Sequence, residues 1–159
     1  MSGSTNCSAM KAERVVVDTN VLISALLQPS GRTAEILTAI REAGGALLFS
    51  DDTFEELASR LMRPKFDRYV DHELRQRFIA DLAGVAEWVA ITGSVRACRD
   101  PDDDKVLETA INGEADSIVT GDADLLALDP FAGMRILRPQ EFLNALRGSG
   151  ITEVPNATN

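Results

Sequence analysis

Short apolar segments alternate with amphipathic segments along most of this chain, and this alternation limits the folds that it can adopt. VVVD at 15–18 and ALLF at 46–49 are typical of buried strands. Each is followed by a segment whose apolar residues recur with helical spacing. Strands that alternate with helices predict a mostly parallel sheet with helices on both faces. The predicted fold class is therefore α/β, with three layers in the order α/β/α.

Turn residues indicate where these elements end. Pro29-Ser30-Gly31 separates the first two helices, and Gly44-Gly45 ends the second. Ser50 is the expected N-cap of the third helix. The predicted helices cover 19–27, 33–43, 51–62, 72–86, 101–111 and 139–146, with a turn and a short helix over 121–128, and the later strands are WVAI at 88–91, SIVT at 117–120 and RIL at 135–137.

The 159 residues predict one domain over 14–147, with a flexible leader over 1–13 and a loose tail over 148–159. No apolar run approaches the roughly 18 residues that cross a membrane. The leader lacks the apolar core of a signal peptide. Cys7 and Cys98 provide neither a disulfide framework nor a metal-ligand spacing. We therefore expect a cytoplasmic protein with no membrane partner.

Charge is distributed unevenly along the chain. The net charge is −9, and residues 100–129 contain ten acids against one base, Lys105. Residues 60–77, in contrast, contain six of the sixteen bases: Arg60, Arg63, Lys65, Arg68, Arg75 and Arg77. An acidic protein is a poor general binder of nucleic acid, but a polarised one can still present a basic surface to it.

Acidic residues follow two of the predicted strands directly. VVVD ends in Asp18, and SIVTGD leads to Asp122, with Asp124 in the next helical turn. Sites in open α/β sheets form beyond the carboxyl ends of the strands. An aspartate after a strand is often only a helix N-cap. Two of them together with a further acidic cluster favour a functional site.

That cluster is RDPDDDKVLETA at 99–110, which places four aspartates in five positions. Asp100 before Pro101 matches an N-cap followed by proline in the first helical turn. Leu107, Ala110 and Ile111 define the buried face of the helix, and at 100° per residue Asp103 projects toward it. Asp104 lies at the edge of this face and Asp102 points away from it.

Carboxylates that converge on one crevice raise each other's pKa unless a cation neutralises them. The one histidine, His72, lies in a polar stretch where a surface role is expected. Hard oxygen ligands select Mg²⁺ or Mn²⁺ over zinc. From the residues alone we expect an acidic Mg²⁺ or Mn²⁺ site suited to phosphodiester hydrolysis.

The chain also resembles a PIN domain, of the kind often found as the toxin of a bacterial toxin–antitoxin pair. The resemblance spans roughly residues 14–146. It rests on VVVDTNVLISALL, SDDTFEELASRLMRPKF and RDPDDDKVLETAINGEADSIVTGDADLL, with RILRPQEFL closing the domain. It implies a single α/β/α nuclease domain with an acidic pocket that binds Mg²⁺ or Mn²⁺ and cleaves RNA.

The resemblance also assigns individual residues to this pocket. Its four acids fall on Asp18 of DTN, Glu56 of EEL, Asp103 and Asp122 of TGD. The DP-x-D pattern and Ala110 seven residues later select Asp103, although the neighbouring aspartates compete for the same role. Further matches are Asn20 and Thr120, which would steady the pocket, and Asp104 and Asp124, which are additional candidate ligands.

The mechanism implied is hydrolysis of RNA by a Mg²⁺- or Mn²⁺-activated water. We expect Asp18, Asp103 and Asp122 to hold the metal, and Glu56 to ligate it or orient the water. The basic segment 60–77 would guide the RNA backbone, and an ordinary solvated face explains its charge equally well. The expected partners are an RNA substrate and a protein antitoxin, and the resemblance also allows a homodimer.

Other interpretations are open to different degrees. A phosphatase on a similar sheet is disfavoured, because DTN lacks a second aspartate and no lysine follows a later strand. A calcium loop starting at Asp100 is excluded, because its sixth and twelfth positions hold Lys105 and Ile111 in place of glycine and glutamate. A module that binds RNA or an antitoxin with little turnover remains the main alternative.

Overall fold

The structure is a computed structural model that describes residues 13–148. Apart from one residue at each end, the predicted leader and tail lie outside these residues. The strands are β1 (Arg14–Val17), β2 (Ala46–Phe49), β3 (Ala86–Trp88), β4 (Ser117–Val119) and β5 (Arg135–Leu137). The helices are α1 (Thr19–Leu27), α2 (Arg32–Glu42), α3 (Asp51–Leu61), α4 (His72–Val85), α5 (Pro101–Asn112), α6 (Ala123–Leu126) and α7 (Pro139–Gly148).

The five strands form one sheet in the order β3-β2-β1-β4-β5, and each neighbouring pair is parallel. The first strand lies at the centre, where Val17 is opposite Val119 at the end of β4. All carboxyl ends therefore lie along one edge of the sheet. The predicted α/β fold with a parallel sheet is confirmed.

Successive residues of each strand pack on opposite faces of the sheet, which gives the three layers. Val15 and Val17 join a core with residues of α1, α2, α3, α4 and α7. Val16 joins a second core on the other face, with Val106 and Leu107 of α5 and Leu125 of α6. The near-continuous apolar strands are those expected for a sheet that is buried on both faces.

Local sequence signals set most of the helix boundaries. Helix α3 begins with a capping box, in which the Ser50 hydroxyl accepts from the Thr53 N–H and the Thr53 side chain accepts from the Ser50 N–H. Gly44, with φ +73°, follows the end of α2 in a left-handed conformation that favours glycine. The predicted break at Pro29-Ser30-Gly31 lies between α1 and α2.

The predicted strand WVAI at 88–91 was wrong in its position. Helix α4 ends at Val85, and β3 begins at once, with Ala86 opposite Leu47 and Trp88 opposite Phe49. Only Trp88 is shared between the predicted and the observed strand. Pairing with β2 places the strand, so its position depends on a partner far away in the sequence.

Between residues 13 and 148, no helix is both long enough and apolar enough to cross a membrane.

Candidate metal centre

Two aspartates lie side by side at the carboxyl edge of the sheet, as the strand ends predicted. Asp18 follows β1 and Asp122 follows β4 after a short turn, and these strands are neighbours. Each also caps a helix, because Asp18 Oδ1 accepts from the Thr19 N–H at 2.8 Å and Asp122 Oδ2 accepts from the Leu125 N–H at 3.2 Å. The cap and site interpretations are therefore compatible, and the caps fix the orientation of both carboxylates.

Thr120 connects these two residues. Its side chain is fully buried, and its hydroxyl donates to Asp18 Oδ2 at 2.8 Å. The same hydroxyl oxygen accepts from the Asp122 N–H at 3.0 Å. A single buried threonine thus holds the two strand ends in a defined relation. The steadying role that the resemblance implies for Thr120 stays a prediction.

Asp103 in the first turn of α5 completes a compact group of carboxylates. One oxygen from each of Asp103, Asp122 and Asp124 lies within 4.8 Å of the others. Burial, followed by a hydrogen bond and repulsion from Asp122, raises the pKa of Asp103 to about 7. A carboxyl group that retains a proton near neutral pH is expected where several acids are forced together without a cation.

Asp18 lies beside this group but is not one of its three closely spaced members. Burial raises the pKa of Asp18, and repulsion from Asp122 adds to this, whereas the bonds from Thr120 and Thr19 oppose it. Of the three predicted metal ligands, the structure brings Asp103 and Asp122 together directly. Asp124, which the sequence had suggested as an additional ligand, lies in the same group, and the role of Asp18 as a ligand stays a prediction.

Glu56 reaches the site from α3, and it is paired with a base. Its side chain is 17% exposed, and its Oε2 lies 2.6 Å from Nη2 of Arg60 one helical turn later. Burial raises the pKa of Glu56, Arg60 lowers it, and the carboxylates of Asp102 and Asp18 raise it further. Glu56 therefore lies on the side of the site that faces Asp102 and Asp18.

Two arginines at the site were not recognised as site residues from the sequence. Arg60 also donates to Asn20 Oδ1 at 3.4 Å and lies 3.6 Å from Asp102. Arg99 lies 3.0 Å from Asp124. The spacing of four residues between Glu56 and Arg60 is typical of an ion pair on one face of a helix, so the sequence did contain a signal for this contact. The pair of Arg99 and Asp124 joins residues 25 positions apart, and no local pattern indicates it.

The remaining aspartates of the 99–110 segment have other contacts. Asp100 caps α5 by accepting from the Asp102 N–H at 2.9 Å, as predicted. The side chain of Asp102 is 42% exposed and lies between Arg60 and Lys105. Asp104 Oδ1 accepts from the N–H groups of Ala97 and Cys98 at 2.8 Å. Asp104 therefore holds the loop before α5.

The donor set fits a hard divalent cation. The clustered groups are all carboxylates, which suit Mg²⁺ and Mn²⁺. His72, 60% exposed, contacts Asp67 and lies outside the cluster. Burial and the neighbouring aspartates raise the pKa of the Cys98 thiol to about 11, which makes it a poor ligand at neutral pH. A cavity of about 440 Å³ opens beside the cluster and is lined by Asp18, Asn20 and Asp122 among others.

Comparison with known proteins shows the family to which a chain with this arrangement belongs. A model of the PIN domain family matches residues 14–124, which include β1, α5 and all the clustered carboxylates. The chain belongs to the PIN domain family. PIN domains are generally metal-dependent nucleases, and a cluster of acids at one edge of the sheet is consistent with that description.

Three relatives extend the comparison. MJ1680, an uncharacterised protein of Methanocaldococcus jannaschii, is 34% identical over 116 residues, which are 72% of this chain and 74% of that protein. The crystal structure of PAE2754 from Pyrobaculum aerophilum has a TM-score of 0.56 at 18% identity, over 87% of this PIN domain chain and 92% of that chain. The structure of VapBC2 from Rickettsia felis bound to a DNA fragment from its promoter has a TM-score of 0.50 at 12% identity, over 77% and 96%. The two structures share the fold of this PIN domain.

Proposed function

We propose that this PIN domain is a metal-dependent ribonuclease, and that it is the toxin of a toxin–antitoxin pair. The observation that carries the proposal is the group formed by Asp103, Asp122 and Asp124, whose oxygens lie within 4.8 Å of one another. Structural stability alone does not favour three adjacent acids, because they repel one another. A divalent cation bound between the three carboxylates would neutralise this repulsion.

Asp103 and Asp122 would hold Mg²⁺ or Mn²⁺, with Asp18 and Asp124 as the neighbouring oxygen ligands. When bound, such a cation activates water and stabilises negative charge on a phosphoryl group. Thr120 keeps the Asp18 carboxylate in place through the bond to its Oδ2. Arg99 compensates part of the charge of Asp124.

Glu56 is the candidate for orienting the attacking water. Its raised pKa, caused by burial, makes it a better proton acceptor than an exposed glutamate. The contact with Arg60, at 2.6 Å, holds its carboxylate in a defined position. Asn20, which contacts Arg60 and lines the cavity, would position the substrate next to it.

The partners follow from the family and from the structural neighbours. VapBC2 of Rickettsia felis has the same fold, which supports an antitoxin as the protein partner. RNA is proposed as the substrate on the basis of the resemblance to toxin PIN domains. A cytoplasmic location and a homodimer complete the proposal.

The direct test is Asp18→Asn in an assay of Mn²⁺-dependent cleavage of single-stranded RNA. We expect the variant to lose cleavage while remaining folded, because the amide oxygen can still accept from the Thr19 N–H at the helix cap but the side chain carries no charge. Asp81→Asn on the exposed surface of α4 is the matched control and should cleave normally. Full activity of Asp18→Asn would refute the proposed role, and binding of RNA without cleavage by the wild-type protein would favour the binding-module alternative.

A further inference from the structure

A second cavity, of about 250 Å³, adjoins the cavity of the metal centre. Asn20 and Ser24 of α1, one helical turn apart, line both cavities. The second cavity differs in charge, because its other walls include three bases and no acid. Its lining residues are Asn20, Ile23, Ser24, Arg60, Arg63, Lys65 and Phe66.

Two of these bases are available to a ligand. Among residues 13–148, neither the side chain of Arg63 nor that of Lys65 has a carboxylate partner within 4.0 Å, whereas Arg60 is paired with Glu56. The Lys65 ammonium lies 5.2 Å from the centre of the Phe66 ring, which holds it without neutralising it. Both side chains belong to exposed residues.

A buried arginine fixes the turn that presents these bases. Arg75 of α4 is fully buried, and its Nη1 donates to the carbonyl oxygens of Leu61 at 3.0 Å and Arg63 at 3.2 Å. Its Nη2 lies 2.7 Å from Asp67 at the end of the same turn. The backbone of 61–67 is therefore held from the inside, and Arg63 and Lys65 project from a defined position.

We propose that this cavity is a phosphate subsite, which binds a backbone phosphodiester of the nucleic acid that reaches the metal centre. The inference rests on the proposed function for its substrate class. A nucleic acid at the metal centre meets a repulsive acidic cluster, and two unpaired cations next to it offset that repulsion. Arg63 and Lys65 supply charged donors, and Ser24 and Asn20 supply neutral ones, which is the usual mixture at backbone phosphates.

The bases of the 60–77 segment thus have different roles. Arg75 has a structural role, Arg60 pairs with Glu56, and Arg63 and Lys65 line the phosphate subsite. Arg68 and Arg77 are exposed and do not line it. This division supplies a matched control, since two charges can be removed inside the cavity or outside it.

The test compares the double variant R63Q/K65Q with the control R68Q/R77Q. The dissociation constant of a labelled single-stranded RNA of about 12 nucleotides is measured in EDTA over a series of salt concentrations, and single-stranded DNA of the same sequence is measured alongside. For R63Q/K65Q we expect about tenfold weaker binding at moderate salt and a salt slope shallower by about 1.4, since each lost phosphate contact on a single strand contributes about 0.7. The control should change both quantities far less, and DNA should show the same loss as RNA.

Several outcomes would overturn the subsite. Equal losses of affinity in the two double variants would mean that binding depends only on the net charge of the protein. No loss of affinity in R63Q/K65Q would mean that the cavity does not bind the nucleic-acid backbone. A loss of binding to an acidic peptide probe such as polyglutamate, without a loss for the oligonucleotides, would assign the cavity to a protein partner. If the wild-type protein fails to cleave RNA with Mn²⁺ but R63Q/K65Q still weakens binding selectively, the ribonuclease proposal fails and the subsite stands.

Discussion

At Asp103, the local environment opposes ionisation of a group that is charged in most proteins. Burial, with the hydrogen bond to Asp122 and its repulsion, raises the pKa of Asp103 to about 7. The pKa values of Asp18 and Glu56 are raised as well, and burial is the first cause in both. The metal-free protein therefore holds a proton at Asp103 more tightly than an exposed aspartate would, and a bound cation would displace that proton.

We expect Asp103 to make the stability of the metal-free protein dependent on pH. Its pKa is raised from 3.8 in the unfolded chain to about 7 in the folded one, so the folded state binds this proton more tightly. The stabilisation from this proton is complete below pH 3.8 and is lost as the pH rises to about 7. Asp103→Asn should therefore increase the free energy of unfolding relative to the wild type, by more at pH 7.5 than at pH 4.5. Urea denaturation in EDTA at both pH values measures this, and an equal effect at both would contradict the assignment.

At the scale of single elements, α4 contributes to the site mainly through Arg75. This side chain reaches across to the turn after α3 and donates to two of its carbonyl groups. In the sequence it looked like one more base of a charged surface segment, but it is fully buried. The position of α4 thus determines the conformation of the turn that carries Arg63 and Lys65.

Replacing Arg75 should destabilise the fold strongly. Arg75→Met keeps much of the side-chain volume but removes the donor to the buried carbonyl oxygen of Leu61 and the part-buried one of Arg63, together with the ion pair to Asp67, which should lower the free energy of unfolding by about 3 kcal/mol. The exposed Arg77→Gln is the control and should change it by less than about 0.5 kcal/mol. Urea denaturation compares the two variants. A loss no greater than that of the control would mean that Arg75 does not hold the turn.

Most elements were predictable because their signals are local. Apolar periodicity, proline and glycine breaks, and the capping residues Ser50 and Asp100 placed the helices to within a few residues. Strand β3 was misplaced because WVAI is more apolar than AEW, the segment that pairs and that contains Glu87. Its register depends on Leu47 and Phe49 of β2, almost forty residues earlier.

The proximity of Asp18 and Asp122 was also predictable, because parallel strands bring their carboxyl ends to one edge. What the sequence did not indicate is how the neutralising bases are distributed. The pair of Arg99 with Asp124, and the burial of Arg75, join distant segments and depend on how the helices pack on the sheet. The preference for Asp124 over Asp18 as the third close carboxylate is likewise a result of packing.

At the scale of the whole molecule, the fold places the acidic and the basic parts of the chain next to each other at one edge of the sheet. Three acids of 100–129, namely Asp103, Asp122 and Asp124, gather at the carboxyl edge of the sheet beside Asp18, and the unpaired bases Arg63 and Lys65 line the adjoining cavity. A chain with net charge −9 can therefore accept a polyanion at one place. The acidic part of this arrangement depends on a cation that neutralises the carboxylate group.

The most direct test of that dependence is equilibrium binding of Mn²⁺, measured by calorimetry on the wild type, Asp103→Asn and the exposed control Asp81→Asn. We expect saturable binding to the wild type and to the control, with a rise in melting temperature on saturation, and affinity at least about tenfold lower for Asp103→Asn. No saturable binding by the wild type at millimolar Mn²⁺, or equal affinity in Asp103→Asn, would contradict the assignment of a metal to these carboxylates.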